Sequence, residues 1–387
     1  MTDGLFIGLM SGTSMDGIDA VLVEIADGQT RLKHHHSHPY SDALRGSLAA
    51  LASGARDDLH TLATLDRQVG WAFAQAATGL LSQSGIPADA IAAIGSHGQT
   101  VRHHPASAPE KRYSLQIGDP AGISEDSGIT TVADFRRRDI AAGGEGAPLV
   151  PAFHAAQFSH PREIRAIVNI GGIANATLLQ GNDIVAGFDC GPGNTLLDAW
   201  IRRHCGDSYD ADGAWSAEHQ PIRALLDRLM ADGFFARRGP RSTGPEHFNL
   251  DWLDGHLRGG EDPGDVQATL AELTARGIAR SLDSLEPGPD AVFVCGGGAR
   301  NTDLMRRLHR QLAGPGIRLG TTDELGLAPE WVEAAAFAWL ASRTLAGLPG
   351  NAPVVTGARG PRILGAIHPG RAGIRAARDP APARQGG

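Results

Sequence analysis

The stretch Gly8-Leu9-Met10-Ser11-Gly12-Thr13-Ser14-Met15-Asp16-Gly17-Ile18-Asp19 decides the fold of this chain. It lies between two apolar runs, residues 5–9 and 20–25, so the pattern predicts a β-hairpin. Its three glycines let the main chain approach a ligand closely, and its three hydroxyl side chains add donors to the backbone amides. These donors suit phosphate oxygens, so we interpret the turn as a nucleotide phosphate site. The alternative is an ordinary hairpin loop rich in turn-forming residues.

The two carboxylates of the turn, Asp16 and Asp19, would repel a bare phosphate. A Mg²⁺ ion held by one or two carboxylates and by the phosphates would turn that repulsion into a bridge. No Gly-Lys-Ser/Thr follows the turn, and a strand rather than a helix comes next. The turn is therefore neither a Walker loop nor a dinucleotide fingerprint.

Composition narrows the class of protein. A chain of 387 residues suggests two domains, and a net charge of −8 without a basic stripe argues against nucleic-acid binding. Three scattered cysteines fit a reducing cytoplasm and exclude a disulfide scaffold. The first ten residues lack a basic leader, and no apolar run is long enough to span a bilayer. We expect a soluble cytoplasmic protein.

The first half of the chain continues as strands and helices. Residues 31–40 predict a third strand, whose four histidines, His34, His35, His36 and His38, could take a metal but more readily form a solvated strand edge. Residues 41–84 have the spacing of two helices. A buried strand at 90–95 then runs into Ser96-His97-Gly98-Gln99-Thr100.

Two further features precede the middle of the chain. Asp119, followed by Pro120, is placed to cap a helix. The three arginines Arg136, Arg137 and Arg138 follow a strand at 130–133. Either they form a solvated face or one of them clamps an anion with both ends of its guanidinium. The glycine- and proline-rich residues 141–151 predict a domain hinge.

The second half repeats the beginning. Strands at 165–170, 176–179 and 184–188 are separated by glycine- and asparagine-containing turns, as in residues 5–40. A fold duplicated in this way should place its two equivalent turns face to face across a cleft. The third strand ends at Asp189, which we interpret as the general base; its alternative is a turn former bonded to its own backbone. Cys190 has no histidine nearby in sequence, so we expect a small buried residue.

Two later features complete the pattern. A strand at 291–294 opens into Gly296-Gly297-Gly298, where a ring or a phosphate could lie against the backbone. Glu333 stands near the start of an alanine-rich helix at 330–345 and matters only if that helix faces the cleft. The terminal residues 377–387 have the composition of a disordered tail.

Assembled, these motifs resemble the anhydro-N-acetylmuramic acid kinase family of the sugar-kinase, Hsp70 and actin ATPase superfamily. The resemblance covers nearly the whole chain, and it departs at Cys190, where threonine is more usual. The motifs that carry it are residues 8–19, Ser96-His97-Gly98-Gln99-Thr100, Gln116-Ile117-Gly118-Asp119-Pro120, Ala133-Asp134-Phe135-Arg136, Asn169-Ile170-Gly171-Gly172-Ile173-Ala174-Asn175, Phe188-Asp189-Cys190-Gly191-Pro192-Gly193-Asn194 and Val332-Glu333-Ala334.

The resemblance implies an α/β fold of two duplicated actin-like (ribonuclease H-like) ATPase domains around a central cleft. The first would span residues 1–140, completed by residues 370–387, and the second residues 141–369. The implied reaction uses ATP and Mg²⁺ to open the 1,6-anhydro ring of 1,6-anhydro-N-acetylmuramic acid hydrolytically and to phosphorylate O6. The product, N-acetylmuramic acid 6-phosphate, would serve peptidoglycan recycling. The expected partners are this amino sugar and a second copy of the chain, as a homodimer.

The resemblance also implies roles for residues. Asp189 would deprotonate a water that attacks C1, with Glu333 helping to position that water, and Asp16 and Asp19 would hold the metal. The sugar would be held by His97, Thr100 and Arg136. The residues implied to bind ATP are Gly12, Thr13, Ser14, Met15, Asp16, Gly17, Ile18, Asp19, Gly171, Gly172, Asn175, Gly296, Gly297 and Gly298.

Two other functions stay open on sequence grounds. One is an ordinary hydroxyl kinase of the same superfamily, in which Asp189 would deprotonate a sugar alcohol directly. The other is an ATP-driven binding protein of the chaperone or actin type. The chain has no long segment after its last glycine turn to form a peptide-binding domain, which argues against the chaperone version.

Overall fold

A computed structural model describes residues 3–104, 108–237, 241–244, 246–314, 316–371 and 373. The chain forms two compact units. The first unit comprises Met1–Leu149 and Glu333–Gly387, and the second unit comprises Val150–Val332. The sequence had suggested divisions after residues 140 and 369, so the chain returns to the first unit earlier than expected. Most of residues 370–387, including the predicted disordered tail, lie outside the described residues.

Two sheets and their helices make up the units. The strands are β1 Gly4–Ser11, β2 Gly17–Ala26, β3 Gln29–Pro39, β4 Ile91–His104, β5 Tyr113–Ile117, β6 Thr131–Ala133, β7 His160–Ile170, β8 Ile173–Gly181, β9 Asp183–Pro192, β10 Ala291–Cys295, β11 Arg318–Thr321 and β12 Ala366–His368. The helices are α1 Asp42–Ala52, α2 Leu59–Ser84, α3 Pro120–Ser127, α4 Arg137–Ala141, α5 Pro151–Phe158, α6 Asn194–Cys205, α7 Ala214–Glu218, α8 Arg223–Met230, α9 Gly233–Ala236, α10 Leu250–Asp254, α11 Pro263–Asp283, α12 Thr302–Ala313, α13 Val332–Leu345 and α14 Pro353–Thr356. Short 3₁₀ turns join several of them, at Ala88–Ala90, Pro109–Lys111, Ala211–Gly213, Gly297–Arg300, Thr322–Leu325 and Pro329–Trp331.

The two sheets share one topology. In the first unit the order is β12-β6-β4-β1-β2-β3, with β5 paired to β4. In the second unit it is β11-β10-β7-β8-β9. In both, the first three strands pair antiparallel. Two further strands join in parallel on the other side of the first strand, β4 and β6 in the first unit and β10 and β11 in the second. The predicted α/β fold with two duplicated, actin-like domains is confirmed.

Each sheet buries apolar side chains against its helices. In the first unit, Phe73 of α2 is fully buried with Ile7 of β1 and Leu22 of β2. In the second unit, Ile278 of α11 packs with Val168 and Val294 on two central strands. Burying a side chain of this size contributes about 1.5–3 kcal/mol relative to leaving it exposed.

Helix α13 reaches the first sheet because two strands have no side chain where it lies. Gly8 of β1 and Gly95 of β4 are neighbours in the parallel register. A Cβ atom at Gly8 would lie 1.8 Å from the carbonyl oxygen of Ala334, and one at Gly95 would lie 1.9 Å from that of Phe337. Only glycine permits this approach. It places Glu333, in the first turn of α13, in the first unit.

Several local predictions are confirmed. Strand β3, which carries the histidine cluster, is an edge strand of its sheet, with His34 and His35 exposed. The Asp119 side chain accepts a hydrogen bond from the Ala121 amide and so caps α3. Cys190 is fully buried, and burial raises the pKa of its thiol to about 12. Within the described ranges, none of the helices combines the length and apolarity that a bilayer crossing needs.

Candidate functional site

The turn between β1 and β2 is held from inside and offers its polar tip to solvent. Ser11 is buried, and its Oγ lies 2.6 Å from the Gly17 carbonyl oxygen and 2.8 Å from Gln99 Oε1. Gln99 Nε2 donates to the Gly12 carbonyl oxygen at 3.0 Å. The tip residues Thr13, Ser14 and Asp16 are exposed. The stem of the turn is therefore rigid, while its hydroxyls and carboxylate can meet a ligand.

The two predicted metal ligands differ in setting. Asp16 is in the tip, where Ser14 Oγ donates to its Oδ1 at 2.9 Å. Asp19 is half-buried within β2, and Ser37 Oγ donates to its Oδ1 at 2.9 Å. Hard carboxylate and hydroxyl oxygens at one end of a hairpin are a donor set that fits Mg²⁺.

Two other predicted members of the turn have backbone roles. Met15 adopts a left-handed φ of 54°, which lets the chain reverse within the turn. The Ile18 side chain is buried in the core of the first unit, so it fixes the second strand of the hairpin next to the turn.

His97 and Arg136, both predicted to hold the sugar, are in direct contact. Arg136 Nη2 lies 2.8 Å from His97 Nε2, and Arg136 Nη1 donates to the Gly146 carbonyl oxygen at 2.8 Å. His97 Nδ1 lies 3.3 Å from the Ser11 carbonyl oxygen, and its ring packs on Phe337 with 4.7 Å between centroids. His97 and Arg136 therefore contact each other, and His97 also contacts Ser11 at the stem of the turn between β1 and β2.

Burial sets the charges of this pair. Burial, followed by the positive charge of Arg136, lowers the pKa of His97 to about 3. Burial lowers the pKa of Arg136 to about 10, against the opposing charges of Glu333 and Asp139. His97 is therefore neutral and Arg136 charged at neutral pH. Arg136 Nε is buried without a hydrogen-bond partner among the described residues, so it is a donor that a ligand could satisfy.

The other arginines of the run are turned outward. Arg137 and Arg138 are exposed, and Arg137 pairs with Asp134 at 3.5 Å. Of the three, Arg136 alone is half-buried. Arg137 and Arg138 therefore lie on a solvated face, and Arg136 is the one that is partly withdrawn from solvent.

Thr100 and Glu333 complete the set in the first unit. Thr100 is half-buried in β4, and Gln116 Nε2 donates to its Oγ1 at 3.0 Å. Glu333, half-buried at the start of α13, is close enough to Arg136 for its charge to raise the pKa of the guanidinium. Helix α13 thus brings the carboxylate of Glu333 close to Arg136, one of the residues predicted to hold the sugar.

Asp189 is held in the second unit by a segment far away in sequence. Its Oδ2 accepts from the Thr243 amide at 2.8 Å. Its backbone N–H donates to the Arg241 carbonyl oxygen at 3.0 Å, and its carbonyl oxygen accepts from Arg241 Nε at 2.8 Å. Arg241 also lies over the rings of Phe188 and Phe234. The carboxylate is therefore oriented by contacts on both its backbone and its side chain.

A polar row crosses the second sheet beside its hairpin turn. Asn169 of β7 pairs with Asn175 of β8, which in turn pairs with Asp189 of β9. Directly paired residues present their side chains on the same face of a sheet. Asn169 is buried, and its Oδ1 has no hydrogen-bond partner within the described part of the chain.

The predicted glycine turns of the second unit pack around this row. Gly296 has a φ of 79°, and a Cβ there would lie 2.2 Å from Asn169 Oδ1. A Cβ at Gly298 would lie 2.3 Å from Ile170 Cγ2, whereas Gly297 is more open. The absence of side chains at Gly296 and Gly298 lets the two loops approach each other closely.

The Gly171–Gly172 turn caps helix α6. The Gly171 carbonyl oxygen accepts from the Asn194 amide at 2.8 Å, and the Gly172 carbonyl oxygen accepts from the Gly193 and Thr195 amides at 2.9 and 3.1 Å. A free helix N-terminus can bind an anion through its first amides. The first amides of α6 are instead engaged by the turn, so a phosphate would have to bind other groups.

Sequence reasoning missed three residues that organise these groups: Gln99, Asn169 and Arg241. Gln99 and Asn169 occur inside quoted motifs, where their polar side chains next to glycine turns were the available signal. Arg241 lies in a glycine- and proline-punctuated region that gave no pattern.

The described residues that cluster as potential metal ligands lie elsewhere in the chain. Among the described residues, such a cluster of His, Cys, Asp or Glu is found at His219, Asp262 and Asp265. None of the three is a predicted site residue, so the proposed Mg²⁺ ligands form a smaller set.

Comparison with known proteins gives the chain its relatives. Residues 4–370 match the family described as anhydro-N-acetylmuramic acid kinase. The protein of that name from Nitrosospira multiformis is 49% identical over 95% of this chain and 100% of its own length. The one from Pseudomonas paraeruginosa is 50% identical over 94% of this chain and 98% of its own.

Solved structures give more distant likenesses. A ROK hexokinase from Thermus thermophilus is 18% identical, with a TM-score of 0.36 over 88% of this chain and 99% of that one. The family match over residues 4–370 extends across both units of the chain. On this evidence, the chain belongs to the anhydro-N-acetylmuramic acid kinase family.

Proposed function

We propose that this chain uses ATP to open the ring of 1,6-anhydro-N-acetylmuramic acid with water and to phosphorylate O6, giving N-acetylmuramic acid 6-phosphate for peptidoglycan recycling. The observation that carries the proposal is the family match over residues 4–370. The geometry of the individual groups supports the roles that follow.

Asp189 is the general base. Its backbone is clamped by Arg241 and its Oδ2 accepts from the Thr243 amide, so the carboxylate keeps one orientation. It takes a proton from water as the water oxygen attacks C1 of the sugar. The bond between C1 and O6 then breaks, and O6 carries the electron pair that attacks the γ-phosphorus of ATP. The proton stays with Asp189 until it leaves to solvent, and ADP is released.

The first unit supplies the sugar clamp. Arg136 is charged, half-buried and has a buried Nε donor to offer an acceptor of the sugar. Thr100 contributes a hydroxyl, His97 supports Arg136, and Glu333 helps to position the attacking water. A partly desolvated guanidinium binds an anionic or polar group more strongly than one in water.

The hairpin turn holds the nucleotide. Its exposed Thr13 and Ser14 hydroxyls and its backbone amides would bind phosphate oxygens. Gly171, Gly172, Asn175 and Gly296 to Gly298 of the second unit are also proposed ATP-binding residues. Asp16 and Asp19 would hold Mg²⁺, which neutralises charge on the transferred phosphoryl group. We further propose that the enzyme acts in the cytoplasm as a homodimer.

The test presents the anhydro-sugar and the open sugar separately with Mg-ATP and measures ADP release and the sugar product. We expect ADP release with the anhydro-sugar and a 6-phosphate bearing one oxygen from ¹⁸O-labelled water at C1. Preference for the open sugar would support the ordinary hydroxyl kinase instead. ATP turnover without any sugar phosphate would support the ATP-driven binding protein.

A further inference from the structure

We infer that His97 is a positioning residue that couples the nucleotide turn to the sugar clamp, rather than a group that bonds the sugar itself. The inference rests on the proposed function for the identity of the sugar. Its physical basis is a continuous set of hydrogen bonds within the first unit, which runs from Ser11 through His97 to Arg136.

Both ring nitrogens of His97 are already committed inside the protein. A carbonyl oxygen can only accept, so the nitrogen facing Ser11, Nδ1, carries the hydrogen. A guanidinium can only donate, so the nitrogen facing Arg136, Nε2, carries the lone pair. The two contacts together select one neutral tautomer and leave no ring nitrogen for a sugar hydroxyl.

The surroundings keep this tautomer in place. His97 is buried and packs against Phe337 of α13. Its low pKa agrees with the geometry, because a proton on Nε2 would face the donor of Arg136. Protonation would therefore break the link rather than strengthen it.

The other side of Arg136 is anchored as firmly. Its Nη1 donates to the Gly146 carbonyl oxygen, and the Gly146 amide donates to Asp139 Oδ2 at 2.9 Å. Asp139 is fully buried, and its Oδ1 accepts from Asn351 Nδ2 and Thr356 Oγ1, both at 2.8 Å. Arg136 is thus held between a fixed loop and His97. A shift of Ser11, at the stem of the phosphate turn, reaches the guanidinium through the imidazole.

Two substitutions at His97 separate its contact with Ser11 from its contact with Arg136. In His97→Gln the side-chain carboxamide ends near the position of Nε2, so its oxygen can still accept from Arg136 while the contact to Ser11 is lost. In His97→Asn the carboxamide ends near Nδ1, so its nitrogen can still donate to Ser11 while Arg136 Nη2 loses its acceptor. The pair is matched in chemistry and differs in which contact survives.

The expected results differ accordingly. His97→Asn should raise the KM for the sugar by about 10-fold, because a buried donor is left unpaired, and should change the KM for ATP little. His97→Gln should keep the sugar KM within about 3-fold of the wild type. It should, however, abolish any change in sugar affinity on adding a non-hydrolysable ATP analogue, measured by calorimetry. Melting temperatures of both variants report whether packing is intact.

Equal sugar KM values for the two variants, or unchanged nucleotide coupling in His97→Gln, would overturn the inference. A second measurement needs no variant enzyme to be active: ¹⁵N spectra of histidine-labelled wild type, with the His97 signal identified by its loss in His97→Gln. Hydrogen on Nδ1 and none on Nε2 between pH 6 and 8 is expected, and the opposite tautomer would contradict the link. Failure of the proposed function is a separate result, namely a wild type that does not phosphorylate the anhydro-sugar.

Discussion

The two sheets have the same strand order but carry different chemistry at their hairpin turns. In the first unit, the turn between β1 and β2 has an exposed tip of hydroxyls and a carboxylate. In the second unit, the corresponding turn at Gly171 and Gly172 is short and engages the start of α6. A duplicated scaffold has thus kept its topology while its turns diverged. We propose that the first turn binds phosphate, whereas the second turn accepts hydrogen bonds from the first amides of α6.

The two units also differ in which of their three antiparallel strands carries the carboxylate. In the first sheet, Asp19 is paired with Ser37 of β3, whose hydroxyl bonds to it. In the second sheet, Asn175 is paired with Asp189 of β9. The carboxylate lies on the middle strand of one unit and on the outer strand of the other.

The largest effect should come from removing the proposed base, which has no counterpart on the third strand of the first unit. Asp189→Asn keeps the size of the side chain but cannot accept a proton, so kcat should fall by about 10²–10⁴-fold with ATP binding retained. Sugar-dependent ADP release and calorimetric titration of ATP provide the measurements. Asp183→Asn, at the exposed start of the same strand, is the matched control and should leave kcat unchanged. Activity retained in Asp189→Asn would remove this residue from the base role.

A smaller effect should come from disturbing the close packing of α13 on strands β1 and β4, since this packing brings Glu333 into the first unit. In Gly95→Ala the new methyl group would meet the Phe337 carbonyl oxygen, so we expect the first unit to lose about 1–3 kcal/mol of its free energy of unfolding. The sugar KM should rise as α13 is displaced. Urea unfolding followed by probes in each unit would measure the loss.

The control for that substitution is Gly46→Ala in α1, where a Cβ meets nothing within 4 Å. It should be neutral or stabilise the helix by about 0.5–1 kcal/mol. If Gly95→Ala behaves like this control, α13 is not seated on the strand as the structure indicates.

The smallest effect is the dependence of the free energy of unfolding on pH. Here the two units should behave alike. Each contains a buried neutral histidine, His97 and His154, and burial lowers the pKa of each to about 3. An unfolded histidine titrates near 6.5, so below that pH the unfolded chain binds protons that the folded one does not. Stability should therefore be constant above about pH 7 and fall as the pH drops from 6.5 towards 3, by about 1–2 kcal/mol per histidine at pH 5.

Urea unfolding at pH 7.5 and pH 5, on the wild type and on His154→Leu, would check this. The variant should lose part of the pH dependence. An identical pH dependence in both proteins would mean that His154 accepts a proton in the folded state.

Much of this molecule could be predicted from local pattern. The repeated order of strand, turn, strand, turn and strand led to the duplicated fold, because alternating and apolar runs report burial residue by residue. The hydroxyl-rich turn and the run ending at Asp189 were recognisable because their side chains are unusual for plain turns. Capping of α3 by Asp119 followed from the same local chemistry.

The contacts that position the candidate groups could not be predicted in this way. Arg241 reaches Asp189 across 52 positions, and His97 reaches Ser11 across 86. Gly8 and Gly95 look like ordinary strand glycines until α13 is seen lying on them. The return of the chain to the first unit at Glu333, rather than near residue 370, has no local signal at all.

The sequence alone determined the α/β class, the duplication, the phosphate-type turn and the family, since each depends on residue types at fixed short spacings. Only the tertiary structure decided which arginine of the run is partly buried, that His97 is buried and contacts both Ser11 and Arg136, and that Glu333 joins the first unit. These properties depend on burial and on contacts between distant segments. Burial sets which protonation state is stable, and only the folded chain brings those segments within hydrogen-bonding distance.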